Sequence, residues 1–197
     1  MKPQVVVIHG GTAFNTHDDY LTSLRTKEVR LDRTPRTDWK DTLAETLPDY
    51  EVIYPYMPSA GNAKYSEWCI WFERLVPLFH DNITLIGHSL GGVFLAKYLS
   101  EHVLPVSVAS IHLVAAPYDA DGVDEGLADF RITTPVQLPT KNVYLYYSTD
   151  DFIVPITEGE KYRRDLPDAE YVSFTDRGHF FMQQTFPELV ERLRIRT

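Results

Sequence analysis

The stretch that decides the fold runs from Ile83 to Leu99 and reads Ile-Thr-Leu-Ile-Gly-His-Ser-Leu-Gly-Gly-Val-Phe-Leu-Ala-Lys-Tyr-Leu. Its first four residues form a short apolar run, which predicts a buried strand. The residues from Val93 onward predict a helix. A glycine-rich turn therefore lies between a strand and a helix, which is typical of a protein built from alternating strands and helices.

Ser89 is the central residue of that turn, in a Gly-x-Ser-x-Gly pattern with Gly87 before it and Gly91 after it. A side chain at either glycine would collide with the crossing strand and helix. The arrangement of strand, pattern and helix is typical of a nucleophile elbow, which exposes a serine hydroxyl on a strained turn. A purely structural turn is the alternative, but the flanking elements favour a nucleophilic serine.

Composition narrows the class of protein. The chain has 197 residues, a hydrophobic fraction of 44% and a formal net charge of −9. These values predict one globular domain over residues 1–197, and they argue against nucleic acid or an anionic membrane as the main partner. No apolar run approaches the length of a membrane-spanning helix, and the amino terminus resembles no signal peptide. The single cysteine, Cys69, is expected to fill the core and fits a reducing compartment, so we expect a cytoplasmic protein.

Apolar runs and helical periodicity alternate along the rest of the chain. Predicted strands cover residues 5–8, 51–54, 83–86, 107–114, 143–147 and 171–174, and predicted helices cover 39–47, 65–79, 93–99, 158–165 and 186–194. This alternation predicts a mostly parallel sheet with helices on both faces. Sites in such sheets form outside the carboxyl ends of the strands.

An acid and a base follow Ser89 in the order that this fold requires. A serine hydroxyl needs a neighbouring base, which is itself oriented by an acid. Asp151 comes just after the strand at 143–147, and His179 comes just after the last strand. We therefore predict a catalytic triad of Ser89, Asp151 and His179. Asp150 and Asp119 are alternative positions for the acid.

Two backbone amides are candidates for an oxyanion hole. The first is the N–H of Leu90, the residue after the serine. The second is the N–H of Gly11, in the His9-Gly10-Gly11 turn after the first strand, with Thr12 as the alternative donor. The other interpretation of this turn is that it is only structural.

The remaining histidines do not predict a metal site. His88 is expected to have a structural role, and His9 is expected to order its loop. No His-Glu-x-x-His or Cys-x-x-Cys pattern occurs, and no phosphate-binding loop is present. We therefore expect neither a metal nor a cofactor.

These residues resemble the α/β-hydrolase superfamily, and within it the small, cap-less serine hydrolases similar to retinoblastoma-binding protein 9 and the YdeN-like proteins. The resemblance extends over essentially the whole chain. Its motifs are Gly-His-Ser-Leu-Gly at 87–91, Tyr-Pro-Tyr-Met-Pro at 54–58 with Ala63 and Trp68 after it, Ser-Thr-Asp-Asp at 148–151 and Arg-Gly-His-Phe at 177–180. It implies a three-layer α/β/α sandwich with about six parallel strands and no separate cap domain. It also implies Ser89, Asp151 and His179 as the triad.

The sequence departs from that family in one segment. Residues 12–38 are longer and more charged than the small members suggest, and we expect them to form a loop that overhangs the site as a candidate lid. The Leu-x-Cys-x-Glu motif that binds retinoblastoma protein is absent, so we do not expect retinoblastoma protein as a partner. Phe152, Phe180 and Tyr118 are candidates for an apolar pocket, with plain packing as the alternative.

The predicted activity is that of a carboxylesterase-like serine hydrolase. Its partner would be a small-molecule ester, thioester or amide, cleaved through an acyl-enzyme on Ser89 without a metal. Two alternatives remain at this point: a binding protein on the same fold with little turnover, and an acyltransferase.

Overall fold

The computed structural model describes residues 1–29, 37–119 and 126–195. Six strands form one parallel sheet in the order β2-β1-β3-β4-β5-β6. They are β1 (Gln4–Ile8), β2 (Glu51–Ile53), β3 (Ile83–His88), β4 (Val108–Val114), β5 (Val143–Ser148) and β6 (Glu170–Phe174). The sheet confirms the predicted fold class.

Helices cover both faces of the sheet because its strands carry apolar side chains on both sides. Side chains alternate along a strand, so Val6 and Ile8 of β1 pack into one core while Val5 and Val7 pack into a second. The helices are α1 (His17–Thr26), α2 (Trp39–Thr46), α3 (Tyr65–Leu75), α4 (Leu90–Glu101), α5 (Ile156–Asp165) and α6 (Pro187–Arg194). Helices α3, α4 and α5 contribute to the first core, and α2 and α6 contribute to the second. The result is a three-layer α/β/α sandwich.

Some predicted boundaries are wrong. The helix predicted over 65–79 ends at Leu75 and continues as a 3-10 turn over Val76–Leu78. Pro77 lies in that turn, and its missing N–H removes a hydrogen bond that an α-helix would need.

The segment 12–38 was expected to form a loop, but its described residues include a helix. Helix α1 occupies ten of its residues and begins at a capping box between Thr16 and Asp19. The part of the segment at 30–36, with four of its charged residues, lies outside the described residues, as do 120–125.

The topology brings the predicted site residues to one edge of the sheet. The strand order reverses between β1 and β3, with β2 lying outside β1. Strand ends are in register across this edge: Ile8 pairs with Gly87, and Ser148 pairs with Phe174. The loops after β1, β3, β5 and β6 therefore leave the sheet on the same side, where ligands bind in parallel α/β sheets.

Candidate active site

Ser89 occupies a strained backbone conformation between β3 and α4. Its φ of 54° and ψ of −123° lie in a region that non-glycine residues rarely adopt. The Ser89 amide donates to the Val114 carbonyl at the end of β4, at 2.8 Å. A Cβ on Gly87 would lie 2.5 Å from the Gly91 carbonyl oxygen, and one on Gly91 would collide with the Ile8 carbonyl. The two glycines thus let strand and helix approach closely enough to hold the turn.

Asp151 and His179 form a hydrogen-bonded pair at this edge. His179 Nδ1 lies 2.8 Å from Asp151 Oδ2, and both side chains are buried. An ionised carboxylate only accepts hydrogen bonds, so Nδ1 carries the proton and Nε2 is left as a base. The other carboxylate oxygen, Oδ1, accepts the amides of Ile153 at 2.8 Å and Val154 at 3.0 Å. Asp151 is therefore held by its own turn and orients the imidazole.

Ser89 lies close to the Asp151–His179 pair, because the residue before it in the chain, His88, packs against His179. The ring of His88 is 5.0 Å from the ring of His179, centroid to centroid. Within the described part of the chain, the Ser89 hydroxyl and the His179 ring form no hydrogen bond. Catalytic hydrogen bonds are often long in the absence of substrate and shorten when it binds.

The loop after β1 packs against the start of α4, next to Ser89. A Cβ on Gly11 would lie 3.3 Å from Leu90 Cδ2 and 2.7 Å from the Ala60 carbonyl oxygen. The Thr12 amide donates to that carbonyl at 2.8 Å. The geometry thus brings Gly11 and Leu90 together and directs the Thr12 amide to another part of the protein.

Side chains from three other elements hold the loop that carries His179. Four consecutive residues of this loop are bound through their backbone. Two of them donate: the Arg177 amide to Ser148 Oγ at 3.1 Å, and the Gly178 amide to Asp150 Oδ1 at 2.9 Å. The other two accept: the His179 carbonyl from His88 Nε2 at 2.8 Å, and the Phe180 carbonyl from Trp39 Nε1 at 2.9 Å. Each peptide group from 177 to 180 therefore has a fixed partner. Sequence reasoning singled out neither Trp39 nor Ser148 as site residues.

The alternative acids lie elsewhere. Asp150 holds Gly178, while the pair with His179 is made by Asp151. The Asp119 carboxylate pairs with Lys161, which also lies 2.6 Å from the buried Glu158.

His88 and His9 are both buried and held in one tautomer. Burial lowers the pKa of His88 well below its ordinary value of 6.5, and the charge of Lys40 lowers it further. His9 Nε2 accepts the Met57 amide at 2.8 Å, so Nδ1 donates to the Gly10 carbonyl. Burial also lowers the pKa of His9. Both side chains are therefore neutral structural groups at neutral pH.

A cavity of about 230 Å³ opens beside Ser89. Its described lining comes from the loop after β1, the serine turn, and the loops after β4 and β5: Gly11, Thr12, Ala13, Ser89, Leu90, Pro117, Gly126, Leu127, Phe152, Ile153 and Val154.

Of the three aromatic residues considered for a pocket, only Phe152 lines this cavity. Phe180 is 1% exposed and packs in the core beneath α2 and α6, and its φ is 59°. Tyr118 is buried, and its hydroxyl contacts Asp165. Of the two alternatives left open for them, plain packing therefore fits Phe180 and Tyr118.

Over residues 1–29, 37–119 and 126–195, no group of His, Cys, Asp and Glu is arranged to hold a metal ion. Independence from a metal stays a prediction. In the same part of the chain, no helix is long and apolar enough to cross a membrane.

The parallel six-stranded sheet, with helices on both faces, defines the minimal α/β-hydrolase fold. The YdeN gene product of B. subtilis shares this fold with a TM-score of 0.76 and 20% identity, over 98% of this chain and 97% of that chain. A protein described as a YdeN-like hydrolase from Pectobacterium atrosepticum matches with a TM-score of 0.69 and 15% identity, over 99% of this chain and 90% of that chain.

Within this class, the family described as Serine hydrolase matches residues 31–194, and the chain belongs to that family. Serine hydrolase RBBP9 of Rattus norvegicus is 30% identical over 158 residues, which cover 77% of this chain and 81% of that protein. The predicted resemblance to small serine hydrolases is confirmed, and the protein is a hydrolase of this family.

Proposed function

We propose that the protein cleaves an ester, thioester or amide through an acyl-enzyme on Ser89, with His179 as the base and Asp151 as the acid that orients it. The observation that supports this proposal is the 2.8 Å contact between His179 Nδ1 and Asp151 Oδ2, beside a serine held in a strained turn. This contact leaves His179 Nε2 as the free base.

Acylation begins when Ser89 Oγ attacks the carbonyl carbon. His179 Nε2 takes the serine proton, and Asp151 stabilises the imidazolium that forms. The carbonyl becomes a tetrahedral oxyanion, which the amides of Leu90 and Gly11 would bind. Gly11 is the preferred second donor because the Thr12 amide already donates to Ala60. Each such donor contributes about 3–4 kcal/mol to the transition state.

The tetrahedral species collapses when the bond between the carbonyl carbon and the leaving group breaks. His179 gives its proton to the leaving group, and the acyl group stays on Ser89. A water molecule then attacks the acyl carbon while His179 takes its proton. The acid product leaves, and the proton returns to Ser89 Oγ. The cycle consumes one water and leaves the enzyme unchanged.

The first test is labelling with a fluorophosphonate probe, which reacts with activated serines. We expect the wild-type protein to be labelled, Ser89→Ala to be unlabelled and Asp151→Asn to hydrolyse p-nitrophenyl acetate about 10⁴-fold more slowly. Ser100→Ala is the matched control, since Ser100 lies on α4 and its hydroxyl bonds to the Ala96 and Gln137 carbonyls and to the Gln137 amide.

Three outcomes would contradict the proposal. Undiminished labelling of Ser89→Ala would remove Ser89 as the nucleophile. A wild-type protein inert toward the probe and toward a panel of esters, thioesters and amides would favour a binding protein on the same fold. Transfer of the acyl group to an added alcohol in preference to water would favour an acyltransferase.

A further inference from the structure

The cavity beside Ser89 indicates which part of the substrate it binds and what chemical character that part has. The inference drawn from it rests on the proposed acyl-enzyme on Ser89. The cavity is lined by Ser89 and by both candidate oxyanion residues, Leu90 and Gly11. A carbonyl positioned for attack would therefore sit at its mouth.

The leaving group has to lie on the side of His179, because His179 protonates it. His179 is not among the described residues that line the cavity, which extends instead toward Pro117, Leu127 and Val154. The two substituents of a carbonyl point in different directions. When the leaving group faces His179, the acyl chain is the substituent that points into the cavity.

The described part of the cavity wall is uncharged. None of the described lining residues carries an ionisable side chain, and the deep positions Ala13, Leu127 and Val154 are 1%, 3% and 1% exposed. A carboxylate or ammonium group placed there would lose its hydration without gaining a partner of opposite charge, which is strongly unfavourable. Apolar groups gain free energy from the same transfer.

The cavity volume sets the length of the chain. An apolar cavity of about 150 Å³ binds benzene, which has six carbons, so a volume of about 230 Å³ accommodates an acyl chain of about six carbons. We propose that the protein is selective for esters or thioesters of uncharged, medium-length acyl chains, with an optimum at about six carbons. Leu127, at the wall, limits that length.

The test is a series of p-nitrophenyl esters from acetate to decanoate, so that only the acyl chain changes. Each buried methylene is worth about fourfold, so kcat/KM is expected to rise by up to roughly 200-fold from acetate to hexanoate and then stop rising. The mono-p-nitrophenyl ester of adipic acid replaces the terminal methyl of hexanoate by a carboxylate. It is expected to react at least about 100-fold more slowly than hexanoate.

A second pair of substrates tests the direction of binding. Methyl hexanoate carries the chain on the acyl side, and hexyl acetate carries it on the leaving-group side. Methyl hexanoate is expected to react faster. A faster reaction of hexyl acetate would overturn the assignment of the cavity to the acyl chain.

Leu127→Ala tests the wall, because it adds room for about two methylenes. It is expected to move the optimum from hexanoate to octanoate, read as the ratio of the two rates so that general loss of activity cancels. Leu104→Ala is the matched control: Leu104 is buried in the same core but does not line the cavity. Its ratio should equal that of the wild type, and an equal shift in both variants would contradict the role of Leu127.

Failure of this inference is distinguishable from failure of the proposed function. If acetate acylates Ser89 but longer chains bring no gain, or if the adipate ester matches hexanoate, the selectivity is wrong and the triad stands. If no ester acylates Ser89, both are wrong.

Discussion

His88 is buried directly beside Ser89 and is neutral in the folded protein. Its neutrality makes the stability of the protein depend on pH. Its Nε2–H holds the His179 carbonyl at 2.8 Å. Burial is the main cause of its low pKa, and the charges of Lys40, His179 and His9 act in the same direction. Burial and these positive charges disfavour a protonated His88, so the folded protein keeps the ring neutral below the pH at which an unfolded chain protonates it.

We predict that stability falls as the pH drops below about 6.5. There the unfolded chain binds a proton at His88 and the folded protein does not, so the free energy of unfolding decreases by about 1.4 kcal/mol per pH unit. His9, whose pKa is also lowered, adds to the slope. Urea unfolding at several pH values between 5 and 7.5 measures it. His88→Gln should reduce the slope, and His17→Gln, at an exposed residue of α1, should leave it unchanged. Equal slopes in wild type and His88→Gln would contradict the prediction.

Ser89 shows which residue-scale features a sequence can reveal. Its positive φ is local, because the glycines at 87 and 91 and the serine between them occupy neighbouring positions in the chain. Backbone strain of this kind costs about 1–3 kcal/mol and persists only where the surroundings hold it. Phe180 has a similar φ of 59°, but its surroundings include residues that are distant in the sequence. Trp39, 141 residues away, binds its carbonyl, so the sequence around Phe180 could not predict its burial.

At the scale of elements, α2 positions the loop that carries His179. Trp39 begins this helix and makes two contacts with the loop after β6: its indole donates to the Phe180 carbonyl, and its amide donates to the Gln183 carbonyl at 2.9 Å. The helix is fixed in turn by a capping box between Asp38 and Asp41. The position of His179 therefore depends on an element from the other end of the chain.

We predict that Trp39→Phe slows acylation about 10-fold with little change in KM. The phenyl ring keeps most of the packing but cannot donate to the Phe180 carbonyl. Leaving a buried carbonyl unsatisfied costs about 1–3 kcal/mol, and part of this loss appears as a displaced His179. Stopped-flow acylation with p-nitrophenyl hexanoate, together with urea unfolding, measures both effects.

Tyr50→Phe is the control for Trp39→Phe. It also removes a donor to a backbone carbonyl, that of Leu193 at 2.6 Å. Tyr50 directly precedes β2, so it lies at the edge of the sheet opposite to the site. Its acylation rate should match that of the wild type. An equal slowing in both variants would indicate a general loss of stability instead of a positioning role for Trp39.

At the scale of the whole molecule, the sequence predicted the succession of strands along the chain and their parallel direction well. Alternating elements allow few arrangements, and parallel strands bring their carboxyl ends to one edge. That is why Asp151 and His179, from different loops, were expected to meet, and their catalytic roles remain predictions. The shape of the cavity was less predictable. Its wall combines residues from four loops, and their packing depends on contacts that no local pattern records.

At the same scale, the first residues of the segment 12–38 lie beside the substrate cavity and lead into helix α1. Thr12 and Ala13 line the cavity, and α1 follows within a few residues. The chain entering α1 also touches the rim, because a Cβ on the cavity residue Gly126 would lie 2.6 Å from Asn15 Nδ2. Helix α1 buries none of its side chains. We propose that residues 12–29 of this segment form a lid held mainly by local interactions, and that no separate cap domain is needed.

We predict that Thr16→Ala/Asp19→Ala loosens the lid without unfolding the protein. The double variant removes both bonds of the capping box, Asp19 N to Thr16 Oγ1 at 3.1 Å and Thr16 N to Asp19 Oδ2 at 2.9 Å. Losing an N-cap costs about 1 kcal/mol. Because α1 buries no side chain, that loss should appear as local opening. Hydrogen exchange of the α1 amides should accelerate, and KM for p-nitrophenyl hexanoate should rise about threefold or more.

The capping box of α2 provides the contrast, because that helix buries Trp39 and Leu43. Asp38→Ala removes this cap together with the ion pair to the buried Lys40, and it should lower the global free energy of unfolding by more than about 1 kcal/mol, whereas the α1 variant should leave it nearly unchanged. If α1 opens and KM stays constant, the segment does not cover the site. If the α1 variant loses as much global stability as Asp38→Ala, α1 unfolds together with the core and cannot move independently as a lid.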